Sequence, residues 1–372
     1  MLVGVPTETK NEEYRVAITP AMAAALVHQG HRVIVQSGAG KGSAIEDDEL
    51  KESGAEIVPD RVEIFKNSEL ILKVKEPQLD EVTRLQPGQM LFTFLHLAAY
   101  PKISQALVKS GAIAIAYETV QLASGELPML SPMSEIAGRM AVQTGANLME
   151  RTHGGRGILI GGTTDVPPAQ VTIIGAGNAG RHAAIVAAGM GANVNILDIN
   201  PAPLEKIDEL RLKQVTTIRS SRETIDSLMP KTDLLIGAVL ITGARAPVII
   251  SADHIKSMRP GSVVIDIAID QGGCIETARE TTHADPTYVV DGVTHFAVGN
   301  IPGAVPHTST YALTKATMPY VSALTDGIET ALKRFPELIG GVNISGGNVT
   351  NRSVAESLGM PYTEALTALG LK

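Results

Sequence analysis

A chain of 372 residues exceeds the size at which a single hydrophobic core keeps growing, so two domains are expected. Hydrophobic residues at 44%, 36 glycines and only 19% charged residues describe a compact, loop-punctuated globular protein and exclude a disordered or coiled-coil chain. Aromatic residues make up 3%, tryptophan is absent and the formal net charge is -8, which argues against nucleic-acid binding by stacking platforms in a basic groove.

From the N-terminus, residues 1–130 alternate short β-branched runs with helical patterns. Leu2–Val5, Arg32–Gln36, Glu69–Val74, Gln89–Leu95 and Ala112–Ala116 read as strands, while Ala21–Gln29, Asp47–Ser53 and Pro101–Ser110 carry helical periodicity, the last opened by a proline. Such alternation implies a largely parallel sheet. Ser134–Arg151 reads as one longer helix with Ser134 suited to N-capping. The glycine-rich stretch Gly154–Gly162, ending in Pro167-Pro168, reads as a connector that must bend. His153-Gly154-Gly155 vaguely suggests a hydrolase oxyanion loop, but no serine elbow accompanies it, and it reads as connector too.

The pattern restarts at Val171. Val171–Ile174, Asn193–Asp198, Val215–Ile218, Asp233–Ala238, Ser262–Ile267 and Tyr288–Val290 read as strands, with helices at Ala179–Met190, Arg222–Leu228 and Ala252–Met258. Six strands with crossovers make a complete doubly wound unit. After Pro306 the strand signals stop, and the tail reads as helical, chiefly Tyr311–Leu324 and Ile328–Arg334. The expected fold is α/β, with two Rossmann-like domains, each a largely parallel sheet flanked by helices, and an interdomain cleft. The expected boundaries are residues 131–306 for a dinucleotide-binding domain and residues 1–130 plus 307–372 for a discontinuous substrate domain.

One cysteine, Cys274, forms no internal disulfide, and the absence of a Cys-x-x-Cys pair fits a reducing cytoplasm. Met1-Leu2-Val3-Gly4-Val5-Pro6 lacks the basic start and longer apolar region of a signal peptide. Ala112–Ala116 is far below the about 20 residues a bilayer requires, so the expectation is a soluble protein without a membrane partner.

The strongest motif is Gly175-Ala176-Gly177-Asn178-Ala179-Gly180, because it follows the strand Val171–Ile174 and opens the alanine-rich helix Ala179–Met190. In that context Gly175 permits the tight turn, Gly177 lets a pyrophosphate approach the backbone, and Gly180 lets helix and strand pack closely. The first helical turn offers N–H groups and a positive dipole end to phosphates. Asp198 ends the second strand at the distance expected of a ribose-binding acid. Its charge would repel a 2′-phosphate, and the following Ile199-Asn200-Pro201 supplies no arginine, so NAD is favoured over NADP.

Most histidines read as surface or capping residues, among them His28, His31, His182, His254 and His283. His96 differs because it terminates the strand Gln89–Leu95, and ligands gather beyond the carboxyl ends of strands in open α/β sheets. Lys75 stands at the corresponding end of Glu69–Val74, and Asp270 follows Ser262–Ile267. Position alone leaves each either a ligand-facing group or a solvated strand terminus. Arg15 lies in a charged loop, for which spacing gives no independent warrant. The chain contains no His-Glu-x-x-His, no Gly-x-Ser-x-Gly and no phosphate loop of the Walker type, so no metal site is expected.

The opening Gly4-Val5-Pro6-Thr7-Glu8-Thr9-Lys10-Asn11-Glu12-Glu13-Tyr14-Arg15-Val16, with Lys73-Val74-Lys75-Glu76-Pro77 and Phe94-Leu95-His96-Leu97-Ala98, resembles the N-terminal signature of the alanine dehydrogenases. Together with Gly175–Gly180, Asp266–Asp270 and Val298-Gly299-Asn300-Ile301-Pro302-Gly303, the resemblance extends over essentially the whole chain. It implies reversible oxidative deamination of L-alanine to pyruvate and ammonia with NAD, usually by a homohexamer. It also implies that Arg15 and Lys75 bind the substrate's carboxylate and oxygen and that His96 and Asp270 supply acid–base catalysis, with the division between them open. Cofactor contacts carry over to Ser134, Gly175, Gly177, Asn178, Ala179, Gly180, Asp198, Ser220, Val239, Leu240, Ile267, Ala268, Ile269, Asp270, Arg279, Val298, Gly299, Asn300 and Ile301. Pro203 departs from the pattern, standing where many relatives place a basic residue near the adenosine ribose. The rivals are the NAD-binding subunit of a proton-translocating transhydrogenase and a saccharopine-type dehydrogenase.

Overall fold

The computed structural model describes residues 1–239, 241 and 246–371. Its strands run along the chain as β1 (Leu2–Val5), β2 (Arg32–Gln36), β3 (Glu56–Val58), β4 (Leu70–Leu72), β5 (Met90–Thr93), β6 (Ile113–Ala116), β7 (Gln170–Ile174), β8 (Asn193–Asp198), β9 (Val215–Arg219), β10 (Leu234–Gly237), β11 (Val263–Asp266), β12 (Thr287–Val290), β13 (Val293–Phe296), β14 (Val342–Ser345) and β15 (Asn348–Val349). They form two sheets in two compact units, one made of the described residues within 1–133 and 305–371, the other of those within 134–241 and 246–304.

The first unit holds the sheet β15-β14-β6-β5-β4-β1-β2-β3, parallel from β3 through β6. Leu70, Ile71 and Leu72 of β4 are fully buried, as expected for a parallel strand covered by helices on both faces. The second unit holds β12-β13-β11-β10-β7-β8-β9, parallel from β9 through β13. Both sheets share the doubly wound order, reversing direction between β1 and β4 and between β7 and β10. Reversal points of this kind open crevices beyond the carboxyl ends of the strands.

Four expectations require correction. The tail is not purely helical: β14 adds antiparallel to β6, β15 pairs with β14, and the helices Pro306–Thr325 and Ile328–Arg334 precede them. Tyr288–Val290 is no parallel strand but part of β12, an antiparallel edge strand, and the sixth parallel position belongs to β13. Both missed hairpins close through two-residue turns with positive φ, Asp291-Gly292 at 49° and 78° and Gly346-Gly347 at 55° and 77°. Asp-Gly and Gly-Gly are the pairs such turns demand, so the signal was in the sequence. The long helix spans Ser131–Leu148, with Pro132 near its start, so Ser134 lies in its first turn and does not cap it. Finally, β5 ends at Thr93, three residues before His96.

Candidate functional site

In the second unit all the parallel strands deliver residues to one end of the sheet. The glycine loop follows β7, Asp198 ends β8, Ser220 follows β9, Val239 lies just beyond β10, Ile267, Ala268, Ile269 and Asp270 follow β11, and Val298, Gly299, Asn300 and Ile301 follow β13. Leu240 lies outside the described residues. The helix Asn178–Gly189 starts at Asn178 and Ala179, with Gly177 in the N-cap position. Gly175 has φ 101°, and a Cβ there would stand 2.5 Å from the carbonyl oxygen of Ala238. A Cβ at Gly180 would overlap the carbonyl oxygen of Gly175. The protein's own packing thus demands both glycines.

Gly177 is different. Its φ of -64° and ψ of -167° suit any residue, and a Cβ there meets no atom within 4 Å. The protein's own packing gives no reason for glycine here, and the bare backbone leaves room for the close approach that a pyrophosphate makes. The loop is tied to β8 by Asp198, which accepts the N–H of Ala176 at 2.8 Å and of Asn200 at 2.9 Å. Each carboxylate oxygen keeps a further lone pair for a ribose hydroxyl. Ser220 donates its N–H to the backbone carbonyl of Asp198. Pro203 sits in the first turn of the helix Pro201–Asp208. Gly138 brings the long helix against Ala179, since a Cβ at Gly138 would overlap the Ala179 carbonyl oxygen. Ser134 lies one turn earlier on the same helix. Arg279 lies over the Tyr288 ring, 4.2 Å from its centre, and its N–H donates to the Tyr288 hydroxyl. His283 bonds the Asn300 carbonyl at 2.9 Å.

In the first unit the corresponding end of the sheet is built from ions. The loop after β1 carries Glu8, Lys10, Glu13 and Arg15; the turn after β4 carries Lys73, Lys75 and Glu76; His96 follows β5 and Glu118 follows β6. Arg15 is buried and donates Nε to Glu13 Oε1 at 2.7 Å and Nη2 to Oε2 at 2.6 Å, while Nη1 faces Met133 Sδ at 3.2 Å. Burial alone would raise the Glu13 carboxyl, but the guanidinium overrides it and holds it at about 2. Lys73 is fully buried between Glu8 at 3.0 Å and Glu81 at 3.2 Å. Glu8 also accepts the N–H groups of Val74 and Lys75, so it fixes the turn from which Lys75 projects. Lys10 donates to Glu76 at 2.6 Å and to the Tyr100 hydroxyl at 3.1 Å.

His96 adopts the left-handed conformation, with φ 46° and ψ 40°. For a non-glycine residue this is an unfavourable geometry that surrounding bonds must hold. Glu118 holds it, accepting the N–H of His96 at 2.6 Å and of Leu95 at 3.2 Å, and burial raises its own pKa. The ring stacks on Phe94 and lies 4.0 Å from Glu118 through Nδ1. Burial, then Lys75, Lys10 and Arg15, push the imidazole pKa well below its usual value, so it is neutral at pH 7. The structure therefore gathers Arg15, Lys75 and His96 into one electrostatic cluster. Sequence reasoning singled out these three and missed their partners. The acids carry no spacing signature; they matter because distant strand ends converge.

Asp270 lies in an exposed turn after β11, in the second unit. Beneath that turn, Asp266 is a buried carboxylate, also missed.

The family model described as alanine dehydrogenase/PNT, N-terminal domain, matches residues 4–137, and the corresponding C-terminal-domain model matches residues 141–352. The chain is 50% identical to an alanine dehydrogenase of Halomonas elongata over 100% of both chains. It is likewise 50% identical to an alanine dehydrogenase of Mycobacterium tuberculosis over 99% of this chain and 100% of that one. Among solved structures, an L-alanine dehydrogenase superposes with a TM-score of 0.92 at 43% identity, covering 96% of this chain and 99% of that one. A transhydrogenase from Sinorhizobium meliloti superposes at 0.79 with 26% identity, covering 95% and 100%. Two-domain architecture, glycine loop, ionic cluster and full-length similarity converge, and the chain belongs to the alanine dehydrogenase/PNT family.

Proposed function

We propose that the chain catalyses the reversible oxidative deamination of L-alanine to pyruvate and ammonia, with NAD as the hydride acceptor. The observation that carries this reading is the joining of buried Arg15 and Lys75 with a neutral His96 in one cluster. A module that only binds a dinucleotide has no use for such a group of residues, which disfavours the transhydrogenase-subunit reading.

Glu13 pairs with the Nε–Nη2 edge of the Arg15 guanidinium, and the substrate carboxylate is assigned to Arg15 together with Lys75. Arginine supplies a planar fork and lysine a compact charge that also polarises the keto oxygen. NAD, when bound, supplies the acceptor for the hydride leaving the α-carbon. Water must then add to the resulting iminium and ammonia must leave, steps that need proton transfers near neutrality. His96, neutral and ready to accept, is assigned to them with Asp270. In the second unit Ser134, the glycine loop, Asp198, Ser220, Val239, Leu240, Ile267 to Asp270, Arg279 and Val298 to Ile301 are assigned to the cofactor. Asp198 favours NAD over NADP, and Pro203 offers no cation to a 2′-phosphate.

Among the described residues no helix is long and apolar enough to cross a membrane. With the family resemblance, we assign a soluble cytoplasmic homohexamer, which light scattering on the purified protein tests. The activity test is NADH formation with L-alanine, D-alanine, glycine and saccharopine in parallel, and NADP as a second acceptor. L-alanine with NAD should give the fastest turnover. Tight NADH binding without turnover on any amino acid would establish the dinucleotide-module reading instead, and preference for saccharopine the third.

A further inference from the structure

The strand β11 ends at Asp266, whose side chain is buried completely. Oδ1 accepts the N–H of Ala268 at 3.0 Å, and Oδ2 accepts those of Cys274 at 2.9 Å and Ile275 at 3.2 Å. One carboxylate therefore grips both ends of the segment from Ile267 to Gly273, within which Gly272 and Gly273 take φ values of 96° and 75°. Two glycines clear its space. A Cβ on Gly273 would stand 2.9 Å from Oδ2, and one on Gly237 of β10 would stand 3.3 Å from Oδ1. Burying a carboxylate is costly, and packing alone gives no reason to keep one here.

We propose that Asp266 is a positioning residue that sets the backbone of the turn carrying Asp270. It acts through the N–H groups of Ala268, Cys274 and Ile275 and touches no reactant itself. The proposal rests on the reading of Asp270 as a proton-transfer group. A protonated acid is a poorer acceptor than a carboxylate, so the grip weakens when Asp266 takes up a proton. Burial raises its pKa from 3.8 to about 6, against the pull of its hydrogen bonds. Among the described residues, two titratable groups face it. The Cys274 thiol lies 3.7 Å from Oδ1, and the Tyr288 phenol, under the Arg279 guanidinium, feels its charge. Burial pushes both of their pKa values upward, so neither titrates near pH 6. Turnover should then fall on acidification with the midpoint of Asp266.

The test measures kcat for NADH-dependent amination of pyruvate at saturating ammonium from pH 5 to 8, with NADH affinity and thermal unfolding as controls. Asp266→Asn presents a donor where the turn needs an acceptor, so kcat should drop by about tenfold to a hundredfold and lose its acid limb, with folding retained. Cys274→Ser supplies a stronger donor to the same carboxylate, lowers its pKa, and should move the acid limb to lower pH with an unchanged plateau. If Asp266→Asn fails to fold, the Cys274→Ser limb decides: a shift supports the proposal and an unmoved limb overturns it. Asp270→Asn separates the two readings. If it abolishes turnover while Asp266→Asn stays within twofold of the parent, the positioning role alone falls. If Asp270→Asn keeps full turnover, the Asp270 reading falls and the proposal with it.

Discussion

The two sheets repeat one strand order, yet they prepare their carboxyl ends for ligands by different means. The second unit presents backbone: small residues at Gly175, Gly177 and Gly180, N–H groups at a helix start, and Asp198 tying the loop to its neighbouring strand. The first unit presents buried charge, with Lys73 closed between Glu8 and Glu81, Arg15 locked on Glu13, and His96 held in a left-handed conformation by Glu118. A phosphate can be met by N–H groups that every chain possesses, whereas fixing a small carboxylate beside a neutral base takes cations held rigidly out of water.

If the charged cluster is as interdependent as its geometry indicates, removing one ion should unfold more than it disarms. Lys73→Ala leaves Glu8 and Glu81 buried without their cation, and the expected loss is about 3–5 kcal/mol in unfolding free energy. Urea denaturation reads this directly. A loss below about 1 kcal/mol would place Lys73 among weak surface-like pairs.

His96→Ala should act on chemistry instead. Turnover is expected to fall on the order of 100-fold or more, while NADH titration stays unchanged because its partners lie in the first unit. Near-normal turnover would remove His96 from the mechanism.

The same contrast explains what could be read in advance. The glycine loop is a local signal, six residues flanked by a strand and a helix, and the reasons for Gly175 and Gly180 are visible in their neighbours. From position, Lys75 and His96 were legible as strand ends that could not be separated from solvated termini, and only the family resemblance gave them roles. Glu8, Glu118 and Lys73 gain meaning because β1, β4, β5 and β6 lie side by side, and no single stretch of chain encodes that adjacency. The β12–β13 and β14–β15 hairpins were legible in Asp291-Gly292 and Gly346-Gly347. Asp266 lay within a segment that carries the family resemblance, but nothing local showed that its carboxylate folds back on the turn behind it.

Gly177 sharpens the comparison from the other side. Gly177→Ala adds a methyl where the protein has room, so thermal unfolding should not move, while NADH affinity should weaken by roughly tenfold if a phosphate loses a hydrogen bond worth about 1.5 kcal/mol. Gly180→Ala should instead lower stability, because its Cβ overlaps the Gly175 carbonyl oxygen. Equal NADH affinity in Gly177→Ala and the parent would mean the dinucleotide does not approach this backbone.

The smallest expected effect is a fraction of one proton, and it tests the electrostatics of the first unit without mutation. Burial and the charges of Lys75, Lys10 and Arg15 hold His96 deprotonated well below its usual pKa of 6.5. A carboxylate bound among those cations offsets their field, and an anion beside an imidazole favours the imidazolium, so binding raises the His96 pKa. At a pH between the free and bound values, pyruvate binding to the NADH complex must therefore take up protons. By linkage, pyruvate binds more tightly as the pH falls through the bound-state value. Calorimetric titration in two buffers of different ionisation enthalpy gives the number directly. Proton uptake that fades as the pH rises above the bound-state value is expected, and it should vanish in His96→Ala. Zero uptake or net release in the parent would mean that the bound carboxylate does not face His96, and the roles assigned to Arg15 and Lys75 would have to be redrawn.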